Sequence, residues 1–202
     1  MAAVGSTPWS ATAAVRACQT IQWSGDVWRC HHRKYDGSST GGSLRASGRF
    51  NRGRDKFAEH ETWPALYTSL GQHIALGERL RHTTPEVLPT LANQRISRLR
   101  VELHTVLVAC APTGCADLCV PGLTIDEMCH PLDYTKTQEF ALAARESVEA
   151  LLIPTCTRFP EGNLIIFPDR LTWPSGIYVV DSQDPELFVD WNNLAATTGG
   201  PA

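Results

Sequence analysis

Arg98-Leu99-Arg100-Val101-Glu102-Leu103-His104 alternates strictly between polar and apolar side chains and continues into the apolar run Val106–Cys110. A period of two places every second side chain on one face, so this stretch reads as a half-buried strand. One strand has no stability of its own and needs partners along its edges. Ala65–Thr68, Leu151–Pro154, Asn163–Phe167 and Gly176–Val180 are short, mostly apolar strand candidates that can supply them, as is Gly25–Cys30, a strand candidate that carries Arg29 near its end. Between these lie two helical patterns. Leu70–Arg81 carries Leu70, Ile74, Ala75 and Leu80 at helical spacing, weakened by Gly71 and Gly77. Thr137–Leu151 carries the stripe Phe140, Ala144, Val148 and Leu151, with Thr137 as its N-cap. Strands interleaved with helices point to a single α/β domain, and 202 residues suffice for its core. The expected boundaries are a mobile leader over 1–22, a domain over 23–194 and a disordered tail over 195–202. Residues 36–48 and 111–133 read as loops.

The formal net charge of −3 argues against a protein that coats nucleic acid. Basic residues are concentrated, however. Arg29, Arg33, Lys34, Arg45, Arg49, Arg52 and Arg54 face a single acid, Asp36, between residues 29 and 54, a local balance of +6. No window is apolar over the ~18 residues that a membrane span needs, and no secretory h-region follows Met1. Seven cysteines, an odd number, fit reduced thiols in the cytoplasm better than a disulfide framework. Cys110, Cys115, Cys119 and Cys129 with His130 lack the paired Cys-x-x-Cys knuckles of zinc modules, so no metal site is expected.

Chemistry gathers in residues 43–78. An arginine-rich, glycine-punctuated loop ends in Gly48-Arg49-Phe50-Asn51, a short apolar run carries Tyr67, and the first helical run carries Glu78. Guanidinium forks match phosphate oxygens. Glycine lets backbone approach a ligand. A tyrosine supplies a flat face, and a carboxylate stabilises a developing cation or moves a proton. Together they suit a nucleotide whose reacting end is cationic. Singly, each has a plainer explanation. Arg29 and Arg49 could be surface charges, Tyr67 a core residue, Glu78 an exposed helix carboxylate and Thr155 part of an ordinary loop.

Taken in order, Trp28-Arg29, Gly48-Arg49-Phe50-Asn51, Leu66-Tyr67-Thr68-Ser69, Glu78, Thr137-Gln138, Leu152-Ile153-Pro154-Thr155 and Asn163 resemble the ordered blocks of RES-domain toxins over roughly residues 26–182. The resemblance implies a mixed-sheet fold similar to ADP-ribosyltransferases and an NAD glycohydrolase or phosphorylase, a toxin held in check by an antitoxin with an Xre-like DNA-binding domain. In that scheme Arg29 and Arg49 clamp the pyrophosphate, Gly48 and Asn51 also bind the substrate, Tyr67 packs on the nicotinamide or its ribose, Glu78 stabilises the cationic ribose and Thr155 positions the ribose or the nicotinamide amide. The family usually has serine where Thr155 stands; threonine keeps the hydroxyl and adds a methyl. NAD is then the substrate, with no cofactor and no metal. Membrane and direct nucleic-acid contacts are not expected, and a homo-oligomer is compatible with the sequence. Two other functions share these residues: mono-ADP-ribosylation of a protein, and non-catalytic nucleotide binding.

Overall fold

The computed structural model describes residues 9–81, 93–111, 114–157 and 159–185. In chain order the elements are α1 (Ala11–Ala17), β1 (Gln19–His32), α2 (Gly41–Arg45), β2 (Leu66–Ser69), α3 (Gln72–Leu80), β3 (Gln94–Val108), β4 (Cys110–Ala111), β5 (Gly114–Leu118), α4 (Ile125–Cys129), α5 (Thr135–Ala144), β6 (Ala150–Ile153), β7 (Asn163–Ile166) and β8 (Gly176–Gln183). Six strands form one sheet in the order β1-β2-β7-β6-β3-β8, and β1 also pairs with β3, so five of them close into a ring with β8 outside it. β3 and β6 run parallel, and the other pairs are antiparallel. This is a mixed α/β domain.

The alternating segment is the centre of the sheet. β3 is antiparallel to β1 along nearly its whole length; its other edge carries β8 over Ile96–Glu102 and β6 over Val106–Val108. β6 and β7 are buried on both faces, which is why their sequences are uninterrupted apolar runs. Leu151, Ile153 and Ile165 pack with Phe140, Ala144, Phe50 and Trp63 on the helical side. Leu152, Leu164 and Ile166 pack with Leu99, Val101 and Val106 on the other. α3 lies against β1, with Leu76 and Leu80 next to Ile96 and Trp28.

Several expectations are corrected. Part of the leader expected over 1–22 forms regular structure. Ser10 caps α1, which packs on α5 through Ala14, and β1 starts at Gln19. Residues 1–8 and the tail at 195–202 lie outside the described residues. The helix expected over Thr137–Leu151 is α5, Thr135–Ala144, and Thr137 sits inside it with its hydroxyl donating to Tyr134 O at 3.1 Å. Glu149 explains the early end. Its buried carboxylate accepts from the N–H groups of His104 and Thr172 and from the hydroxyls of Thr172 and Ser175, drawing the chain out of the helix and into β6. The loop expected over 36–48 contains α2, and that over 111–133 contains β5 and α4. Cys110 and Cys115 were expected as reduced thiols but are disulfide-bonded across the β4–β5 hairpin, where their Cα atoms come within 4.6 Å. Cys18, Cys30, Cys119, Cys129 and Cys156 are free.

Candidate functional site

A cavity of about 650 Å³ opens where β1, the 48–49 loop, β2, α3, the α4–α5 connection and β7 converge. Its wall holds four guanidinium groups, Arg29, Arg49, Arg79 and Arg81, and one carboxylate, Glu78. The floor combines Tyr67, Ser69 and Asn163. A field of this sign concentrates an anionic ligand, while the single carboxylate gives it one spot that favours positive charge.

Glu78 stands near the end of α3, which runs along the cleft, so Tyr67 and Glu78 share one cavity although they lie on different elements. The two carboxylate oxygens have different surroundings. Oε1 accepts from Thr155 Oγ1 at 2.8 Å, the Cys156 N–H at 2.8 Å and Asn163 Nδ2 at 2.9 Å. Oε2 has no hydrogen bond among the described residues and lies 3.9 Å from Arg49 Nη2. Burial pushes the carboxyl up, but the N–H of Cys156, Asn163, Thr155 and the Arg49 charge together outweigh it and hold it below its ordinary value. Glu78 is therefore ionised at neutral pH.

Arg49 reaches Glu78 from the loop. Its Nη1 donates to Met128 O at 3.2 Å, Cys129 O at 3.4 Å and Cys156 Sγ at 2.7 Å. The guanidinium is thus anchored on the wall, with Nη2 toward the carboxylate. Burial works against its charge, and Cys156, Glu78 and Tyr67 more than compensate. Arg29, on β1, donates from Nη1 to Gly37 O at 2.8 Å and Ser39 O at 2.6 Å, which ties the glycine-rich loop to the strand. Burial lowers its pKa to about 10, leaving it charged at neutrality.

The loop itself is locked from behind. Gly48 N–H donates to Asn51 O, Asn51 Nδ2 donates to Ala46 O at 2.9 Å, and Gln138 Nε2 donates to both Gly48 O and Asn51 O. Tyr67 Oη donates to Asn51 Oδ1 at 2.8 Å and accepts the Phe50 N–H at 3.0 Å. A Cβ on Gly48 would stand 2.6 Å from that hydroxyl, so only glycine permits this approach. Burial pushes Tyr67 up to about 12, and its hydroxyl stays protonated.

The RES domain family model matches residues 26–190. The chain belongs to the RES domain family. Among solved structures, a chain in the crystal structure of the M. tuberculosis MbcT–MbcA toxin–antitoxin complex superposes with a TM-score of 0.68 at 22% identity, covering 92% of this chain and 97% of that one. At that identity the likeness is one of fold. No curated protein matches.

Within this RES domain, Arg29, Gly48, Arg49, Tyr67 and Glu78 line the cavity together. Thr155 and Asn51 do not. Thr155 is behind Glu78, and Asn51 is behind Tyr67, each a support for a residue that faces the cavity. Three supports lie outside the site residues expected from the sequence: Asn163, the Cys156 N–H and Gln138. Asn163 had a signal, since it is a polar residue opening a buried apolar strand, and its Oδ1 accepts from Ser69 Oγ at 2.7 Å. The Cys156 amide had none, because a backbone donor leaves no mark in a sequence. Among the described residues no group of three or more His, Cys, Asp or Glu is placed to hold a metal ion, and no helix is long and apolar enough to cross a membrane.

Proposed function

We propose that this RES domain consumes NAD by breaking its nicotinamide–ribose bond, with water or phosphate as acceptor. The observation that carries the reading is the asymmetry of Glu78. The buried Glu149 has both oxygens occupied by hydrogen bonds that hold the fold. Glu78 has one oxygen fixed by three donors and the other left toward the cavity. A carboxylate immobilised in this way is preorganised to stabilise positive charge.

The nicotinamide of NAD leaves with the bonding electron pair, which neutralises its ring nitrogen and makes the ribose oxocarbenium-like. Glu78 Oε2 opposes that charge. The Tyr67 ring packs on the nicotinamide end, while the arginines of the wall, Arg29 and Arg49 foremost, attract the pyrophosphate. Water then attacks the anomeric carbon and releases a proton to solvent, or phosphate takes its place. Thr155, Asn163 and the Cys156 N–H keep the carboxylate aimed. The fold in this reading is that of an ADP-ribosyltransferase relative, and the location is the cytoplasm, where the NAD pool is. An enzyme that drains this pool has to be restrained, so the reading includes a toxin role and an antitoxin partner with an Xre-like DNA-binding domain that covers the cavity. One solved structure that shares the fold is itself from a toxin–antitoxin complex.

The test is incubation of purified protein with NAD, with and without phosphate, and identification of the products by mass spectrometry. Free nicotinamide with ADP-ribose indicates hydrolysis, and with phosphorylated ADP-ribose indicates phosphorolysis. ADP-ribose attached to an added protein extract indicates a mono-ADP-ribosyltransferase. Binding of NAD without nicotinamide release leaves a nucleotide-binding module and overturns the enzymatic reading.

A further inference from the structure

We propose that Cys129 and Cys156 form a peroxide-responsive thiol pair whose oxidation to a disulfide disarms the Arg49–Glu78 site. Both cysteines are free and buried, and Cys129 lies on the cavity wall. Cys156 Sγ lies 3.1 Å from Cys129 O, and Cys129 Sγ lies 3.7 Å from Thr155 O, so each thiol sits against the other's backbone segment. Cys156 Sγ accepts from Arg49 Nη1 at 2.7 Å, the kind of cationic contact that favours a thiolate.

The other free cysteines lack this setting. Burial pushes Cys18 and Cys30 up to about 11 each, and pushes Cys119 up as well. Cys156 alone among them moves down. The neighbouring Cys129 thiol lowers it most, burial raises it, Arg49 and Arg81 lower it and Glu78 raises it. Cys129 moves the other way, raised by Cys156 and by burial. The Arg49 contact on its sulfur makes Cys156 the attacking member of the pair and Cys129 the resolving one.

The chemistry runs in two steps. The Cys156 thiolate attacks one oxygen of a hydroperoxide, forming a sulfenic acid and releasing hydroxide, or alkoxide from an alkyl peroxide. The Cys129 thiolate, formed as its proton passes to that hydroxide, attacks the Cys156 sulfur. The S–S bond forms and the sulfenic oxygen leaves as hydroxide, which takes back from solvent the proton that Cys156 gave up on ionising. Each disulfide thus consumes one peroxide and two thiol hydrogens. The product sulfur is neutral and a weak acceptor, so Arg49 Nη1 loses its charged partner. Cys156 also supplies the N–H that holds Glu78 Oε1, so drawing its sulfur toward Cys129 disturbs the carboxylate as well.

The experiment exposes wild-type protein, with its Cys110–Cys115 disulfide intact and the other five thiols free, to hydrogen peroxide and maps its peptides without reduction. The expected result is a peptide joining Cys129 to Cys156, an intact mass lower by two hydrogens, and a fall of two in the five free thiols. Nicotinamide release falls at least ~10-fold, the scale of losing one hydrogen bond to a charged group, and returns with dithiothreitol. In Cys129→Ser, Cys156 instead gains two oxygens as a sulfinic acid that dithiothreitol does not reverse. Absence of the 129–156 peptide in wild type overturns the proposal, as does a crosslink that leaves nicotinamide release unchanged. If wild type before peroxide releases no nicotinamide at all, the NAD reading fails, and the peptide map alone decides whether the pair forms.

Discussion

Glu78→Gln isolates the charge of the carboxylate from its shape. The amide oxygen can take the place of Oε1 and still accept from Thr155, the Cys156 N–H and Asn163, now at 2.8, 2.8 and 2.9 Å. The amide nitrogen then occupies the position of Oε2, 3.9 Å from Arg49 Nη2, where a donor faces a donor. The side chains of Arg49 and Glu78 are only 14% and 16% exposed, so bulk water does not screen the site. Two unit charges ~4 Å apart interact by about 4 kcal/mol at an effective dielectric of ~20. A ribose cation forming at that distance from Oε2 would gain up to a similar amount. Part of this is already present in the ground state, because the nicotinamide of bound NAD is cationic. The expected net loss is about 3 kcal/mol, or roughly 10²-fold in kcat, within the range for preorganised electrostatic groups. KM should change far less, since the lost interaction grows mainly in the transition state. The assay is initial-rate nicotinamide release at several NAD concentrations, with a thermal melt to show that the variant is folded. A folded variant whose turnover stays within about threefold of wild type would remove Glu78 from the mechanism and refute the electrostatic argument.

Three further outcomes follow from the same geometry. Thr155→Ser keeps the donor to Glu78 Oε1 and should retain most of the turnover, whereas Thr155→Val loses a hydrogen bond to a charged group and should cost about 1.5–3 kcal/mol in kcat/KM; equal rates for the two would show that the hydroxyl is idle. Tyr67→Phe leaves the Phe50 N–H and Asn51 Oδ1 without their buried partner, so denaturant unfolding should report a loss of at least ~1–3 kcal/mol, while the KM for NAD, read from the retained ring, changes little. The Glu78 carboxyl has a folded pKa below its unfolded one, so its contribution to stability is complete above the ordinary value of 4.5 and is lost as pH falls through the lower folded value. The stability gap between wild type and Glu78→Gln should therefore hold steady from neutrality to 4.5 and narrow only below it, and a gap that closes above 4.5 would contradict the arrangement of donors around Oε1.

How much of this was legible depended on whether a feature repeats locally. The alternation through Arg98–His104 and the apolar runs at 151–153 and 163–166 are periodic, and they became β3, β6 and β7. The stripe through Thr137–Leu151 is periodic too, yet it misplaced the end of α5. Leu151 lies on the helical spacing and on β6 at once, and only Glu149, bonded to residues on either side of it in the sequence, shows where the helix stops. Residues 11–17 carry no useful period for the same reason: the Ala-rich helix gains its stability from α5, more than a hundred residues away.

Read alone, the chain determined a mixed α/β domain of the RES type and a set of residues chemically suited to an anionic ligand with a cationic end. Their side-chain types carry that information wherever they sit. Tertiary structure decided which of them face the cavity and which stand behind it. Thr155, the Cys156 N–H and Asn163 come to Glu78 across 77, 78 and 85 residues of chain. Contacts over such separations follow from how β6 and β7 pair beside α3, not from any local period, so the free oxygen of Glu78 and the thiol pair behind Arg49 came into view only in the folded protein.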